Sequence, residues 1–181
     1  IGPGLGQEAG AERLLDLVLQ EAEKLPELPV VIDADGLNLL AKKRLYSTLG
    51  RQYVLTPHLR EMSRLSGKSV QEIADDMTSA VMGQQAGATI VLKDARTLVS
   101  DGDWLYINLS GNSALSTGGS GDVLSGMIGG LLAQGCTQRT AATLAVYMHG
   151  LTAEQYCESA LPHCMLARDI LEMIPKIGGN S

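Results

Sequence analysis

An α/β fold, with a mainly parallel sheet covered by helices on both faces, is what this sequence predicts, on three observations. Short apolar, β-branched runs alternate with stretches of helical periodicity, the runs end at turn residues, and the last third of the chain reads as helix after helix. From Ala11 to Leu25 the residues Leu14, Leu15, Val18, Ala22 and Leu25 recur at helical spacing, with charged residues on the other face, which predicts an amphipathic surface helix. Pro29-Val30-Val31-Ile32-Asp33 is an apolar run between a proline and an Asp-Gly turn, as expected of a strand buried on both faces. Tyr53 to Thr56 and Ala88 to Lys93 repeat that pattern, and Val70 to Gln85 between them predicts a helix starting after Ser69. Thr97 to Ser100 and Trp104 to Ile107 flank Asp101-Gly102-Asp103, which predicts an antiparallel hairpin. After a polar stretch from Asn108 to Gly121, helices are expected at Asp122 to Gln134, near Gln138 to Ser159, and at Met165 to Ile174.

The 181 residues carry neither an internal repeat nor a linker, so residues 1–181 are expected to form one domain. The chain opens at Ile1-Gly2-Pro3-Gly4 inside a glycine-rich motif, and a preceding segment that completes the domain is expected. Hydrophobic residues make up 45%, charged residues 19% and glycine 21 positions, a globular composition rich in turns. A formal net charge of −6 with no basic run argues against nucleic acid or an anionic membrane as a partner. It does not argue against a phosphorylated small molecule, because backbone N–H groups at a helix N-terminus bind phosphate whatever the net charge. Cys136, Cys157 and Cys164 are an odd number without a CxxC pair, and they read as reduced structural thiols of a cytoplasmic protein. Cys157, His163 and Cys164 match no zinc spacing, so no metal is expected on them. No stretch is apolar for long enough to cross a bilayer.

Ser116-Thr117-Gly118-Gly119-Ser120-Gly121-Asp122-Val123-Leu124 is the strongest chemical feature. A glycine-rich turn entering an apolar helix lets several N–H groups converge on an anion that the helix dipole also favours. Asp122 would repel that anion if binding were its whole task. As a general base in the first helical turn it can take a proton from a substrate hydroxyl while the neighbouring N–H groups stabilise a transferring phosphoryl group. The competing reading is an acidic residue that complements the dipole. The turn lacks GxxxxGK[ST] and is no Walker A loop.

Gly118 to Gly135, GGSGDVLSGMIGGLLAQG, resembles the anion-hole helix of ribokinase-like kinases, specifically their NAD(P)H-hydrate dehydratase branch. Gly2-Pro3-Gly4-Leu5-Gly6, VVIDADGLN (Val30 to Asn38), LTPH (Leu55 to His58) with Glu61, VLKDARTLV (Val91 to Val99) and AVYMHG (Ala145 to Gly150) resemble the same family in the same order. The resemblance implies a ribokinase-like three-layer sandwich that uses ADP or ATP, with Mg²⁺, to dehydrate NADH hydrate or NADPH hydrate. It implies Asp122 as base, Gly119, Ser120 and Gly121 around the phosphates, Lys93, Asp94, Ala95, Arg96 and Thr97 against the nucleotide, and Gly4, Gly6, His58 and Asp122 against the hydrated dinucleotide. It also implies a homotetramer.

Each of these residues has a plainer reading beside it. Lys93 can be a strand-end lysine reaching for water, and His58 a cap or surface residue. Asp33, Asp35 and Asn38 can hold Mg²⁺ through water or orient phosphates, or they can simply cap a helix. His149, inside an apolar helix, reads as a packed core residue. The chain departs from the family pattern at Leu59-Arg60, where Pro-Gly is usual, at Asp94, where glycine is usual, and at Thr152-Ala153-Glu154, where Ala-Gly-Asp is usual. Two alternatives stay open: a kinase of the same fold acting on a small alcohol, and a nucleotide-binding module without catalysis.

Overall fold

The computed structural model describes residues 1–83 and 86–177. Five strands form one sheet in the order β1 (Val30–Ile32), β2 (Tyr53–Leu55), β3 (Thr89–Leu92), β4 (Leu98–Ser100), β5 (Leu105–Ile107). The first three are parallel, with Val31 opposite Val54 and Leu55 opposite Ile90. β4 and β5 continue the sheet antiparallel as the expected hairpin, with Val99 opposite both Val91 and Tyr106.

Helices α1 (Ala9–Lys24), α2 (Ala34–Lys43), α3 (Leu59–Ser66), α4 (Val70–Asp75) and α5 (Met77–Met82) precede β3, and α6 (Ser120–Ala133), α7 (Gln138–Cys157) and α8 (Ala167–Met173) follow β5. Because strand side chains alternate between faces, the sheet feeds two cores. Ile32, Tyr53, Leu55, Ile90, Leu92 and Leu98 pack with residues of α1 to α5, among them Leu15, Leu40, Met62 and Ile73. Val54, Val91 and Val99 pack on the other face against Leu124, Ile128 and Leu132 of α6 and Ala141, Ala145 and Val146 of α7. The result is the three-layer arrangement expected.

The long helix expected from Val70 is broken. Asp76 leaves helical geometry (φ −143°, ψ 75°) and its carboxylate accepts hydrogen bonds from Ser79 N and Oγ at 2.9 and 2.5 Å, which starts α5 as a separate helix. The expected end of that helix, Gln84 and Gln85, lies outside the described residues. Among the described residues no helix is long and apolar enough to cross a membrane.

Candidate active site

The C-terminal ends of β1, β2 and β3 stop side by side, and the residues that follow them meet the first turns of α6. Open α/β sheets place their ligand sites at this edge. Asp33 follows β1, Thr56 follows β2 and Lys93 follows β3. Asp33 is 2% exposed, and each of its oxygens is engaged. Oδ1 accepts from Ala34 N at 2.8 Å and from Lys93 Nζ at 2.9 Å, and Oδ2 accepts from Ser125 Oγ at 2.6 Å. Thr56 Oγ1 lies 3.3 Å from the same Ser125 hydroxyl. Burial alone pushes the Asp33 carboxyl up, but the Lys93 ammonium and the Ser125, Lys93 and Thr56 hydrogen bonds outweigh it and hold the group below the usual carboxylate range. Asp33 thus caps α2 and ties three strands to α6.

The glycine-rich turn runs directly into α6. Gly119 sits at φ +85° as the residue before α6, a left-handed conformation that costs glycine nothing, and a Cβ there would stand 3.1 Å from Ala167 Cβ. Gly121 lies over Lys93: a Cβ on it would come within 3.3 Å of Lys93 Nζ. The ammonium is therefore held under the N-terminal turn of α6. Ser120 is pinned from below by His149 of α7, whose Nε2 lies 3.1 Å from both Ser120 Oγ and Ser120 O. Because a carbonyl only accepts, the second contact assigns the proton to Nε2. Burial lowers the His149 pKa to about 4, so the ring is neutral. Asp122, one residue after Gly121, is exposed, and its carboxylate makes no hydrogen bond or ion pair among the described residues.

The remaining sequence candidates divide. Gly4 (φ +67°) and Gly6 (φ +76°) shape a turn closed by Leu5 N donating to Gly2 O at 3.0 Å. Asp35 accepts from Gly6 N at 2.9 Å and from Gln7 Nε2 at 3.1 Å, so it fastens this turn to α2. His58 is the N-cap of α3: its Nδ1 accepts from Glu61 N at 3.1 Å while its own N–H donates to Glu61 Oε2 at 2.8 Å. Its backbone also bridges to Lys93, which donates from N to Pro57 O at 2.8 Å. Gly4, Gly6 and His58 therefore stand on the same sheet edge as Lys93 and Gly121. Asp94, Ala95 and Arg96 are exposed, and no hydrogen bond or ion pair joins residues 94–97 to α6. Asn38 accepts from Arg64. Ser125, Thr56 and the His149 contact to Ser120 carry no motif that marks them in the sequence. A serine at position 125 in the buried face of an otherwise apolar helix was the available signal for the first.

A family model described as NAD(P)H-hydrate dehydratase matches residues 1–176. The chain belongs to the NAD(P)H-hydrate dehydratase family. An ADP-dependent (S)-NAD(P)H-hydrate dehydratase of Neisseria meningitidis serogroup B is 43% identical over 166 residues, which is 88% of this chain and 55% of that relative. A crystal structure of the ADP/ATP-dependent NAD(P)H-hydrate dehydratase of Bacillus subtilis, co-crystallised with ATP and Mg²⁺, superposes with a TM-score of 0.82 at 32% identity, over 98% of this chain and 62% of that one. Hydroxyethylthiazole kinase of Pyrococcus horikoshii, at 20% identity, shares the fold with a TM-score of 0.75 over 93% of this chain and 67% of its own. The chain thus spans about half the length of its Neisseria relative, and this member of the NAD(P)H-hydrate dehydratase family has the ribokinase-like fold.

Proposed function

We propose that the protein dehydrates the S form of NADH hydrate or NADPH hydrate, with ADP or ATP as phosphoryl donor. One observation carries the reading: a fixed ammonium, Lys93, lies beneath Gly121 while the next residue, Asp122, is exposed and unpaired. In this reading the first turn of α6 receives the terminal phosphates, with Gly119, Ser120 and Gly121 around them. Lys93 is the contact on the β3 side, with residues 94–97 toward the rest of the nucleotide, and Gly4, Gly6 and His58 face the hydrated dinucleotide.

Asp122 takes the proton from the ring hydroxyl, and the hydroxyl oxygen attacks the terminal phosphoryl group, displacing AMP or ADP. The resulting phosphate ester then breaks at its carbon–oxygen bond as the adjacent ring carbon loses a proton, which restores the double bond and releases phosphate. Among the described residues no three His, Cys, Asp or Glu side chains form a metal cluster, and Asp33 already holds Lys93 and Ser125. That donor set suits Mg²⁺ brought in on the nucleotide, where it would neutralise phosphate charge. We extend the reading to residues 1–181 as part of one catalytic domain, to a cytoplasmic setting that suits the free thiols Cys136, Cys157 and Cys164, and to a homotetramer.

The test is an assay that follows reduced-nicotinamide absorbance from NADH hydrate with Mg²⁺ and ADP or ATP. Recovery is expected only with nucleotide. Asp122→Asn is expected to lower kcat by about 10²- to 10⁴-fold with nucleotide affinity unchanged. Full turnover by a folded Asp122→Asn protein would falsify the reading, and a stable phosphorylated product in place of free phosphate would point to a kinase of the same fold.

A further inference from the structure

We infer that Asp33 is the positioning residue of the nucleotide site, its buried carboxylate holding the Lys93 ammonium beneath the first turn of α6 and aimed at the terminal phosphates of an adenine nucleotide. The inference rests on the nucleotide reading above, and it gives Asp33 a task in binding although its carboxylate is buried.

The geometry is over-determined for a cap. Ala34 N alone would satisfy that role, yet the carboxylate also takes Lys93 at 2.9 Å and Ser125 at 2.6 Å, and Ser125 is braced by Thr56 at 3.3 Å. Two charges are withdrawn from water for this, with side-chain exposures of 2% for Asp33 and 21% for Lys93. A buried ion pair is weak evidence of a gain in stability, because desolvation cancels much of the attraction. The arrangement gains direction instead. An ammonium has three N–H donors, and Lys93 spends one on Asp33. The other two have no acceptor among the described residues, and the Nζ atom stands 3.3 Å from where a Cβ on Gly121 would be. A lysine on a free four-carbon stem loses rotamer freedom on meeting a phosphate. Here that freedom has already been removed by Asp33, and Ser125 fixes Asp33 to the helix that bears Asp122.

The experiment measures Mg·ADP affinity by calorimetry and melting temperature on the same samples, for wild type, Asp33→Asn, Lys93→Met, the double variant and Ser125→Ala. Each single charge variant is expected to bind about tenfold or more weakly, the loss of one hydrogen bond to a charged partner, and to melt early because one buried charge is left alone. The double variant, with both charges gone, is expected to regain the melting temperature but not the affinity. Ser125→Ala keeps the ion pair and is expected to weaken binding only about threefold. Wild-type affinity in Asp33→Asn, or affinity that returns with stability in the double variant, overturns the inference. If a single charge variant does not fold, the double variant and Ser125→Ala decide alone, and undiminished affinity in both overturns it. No hydrated cofactor enters these measurements, so a wild type that binds Mg·ADP but fails to dehydrate NADH hydrate defeats the proposed function and leaves this result standing.

Discussion

His149 shows how much a single neutral side chain can hold in place. It is 7% exposed, its Nε2–H reaches Ser120 O, and burial lowers its pKa to about 4. In the unfolded chain the ring titrates near 6.5. Because the folded pKa lies below the unfolded one, the unfolded state binds the extra proton first as pH falls. The stability that depends on the neutral ring is therefore complete above about pH 6.5 and declines down to about pH 4. A gap of that size corresponds to about 3 kcal/mol. Unfolding free energies measured from pH 7 to pH 4 should show the decline in wild type and a shallower one in His149→Gln. Parallel curves would mean that His149 is not the source of the decline.

At the level of elements, α3 puts two readings of His58 in competition. The cap is real: Nδ1 receives Glu61 N, and Glu61, 6% exposed, returns the bond to His58 N. Yet the side chain is 48% exposed on the edge that carries Lys93, so its outer part remains open to substrate. Asparagine caps as well as most residues but has no imidazole. His58→Asn is expected to melt within about 1 °C of wild type, while His58→Ala loses about 1 kcal/mol, or roughly 2–4 °C. If His58 also meets the hydrated dinucleotide, both variants raise KM for it several-fold with little change in kcat. An unchanged KM in His58→Asn reduces the residue to a cap.

This ambiguity also marks what could be read from the chain alone. The five strands, the hairpin, and the helices that became α6 and α7 were legible because apolar periodicity and turn residues are local signals. α3 was passed over, since Leu59, Met62 and Leu65 are spread among polar residues over only eight positions, and the break at Asp76 depends on a capping choice that periodicity does not register. The glycine turn and Asp122 announced themselves by composition. The Asp33–Lys93–Ser125–Thr56 network did not, because its members lie up to 92 residues apart and only the parallel pairing of β1, β2 and β3 brings them together.

Across the whole molecule, the sheet keeps two cores apart, α1 to α5 on one face and α6 and α7 on the other. Asp33–Ser125 and Thr56–Ser125 are buried polar links that join the strand ends to α6 across that divide. A nucleotide seated on the turn that begins α6 and on Lys93 would add to those links, and a ligand bound only by the folded state stabilises it by mass action. At a Mg·ADP concentration about 100 times its Kd the gain is about 2.7 kcal/mol, which for a chain of 181 residues corresponds to a rise of roughly 5–10 °C in melting temperature. Asp122→Asn should keep the whole rise, since removing a carboxylate beside the phosphates takes away no contact to them, whereas Lys93→Met, binding about tenfold or more weakly, should lose about half of it or more at the same nucleotide concentration. A full rise in Lys93→Met would place the phosphates elsewhere on the molecule, and its absence in wild type would detach this sheet edge from nucleotide binding altogether.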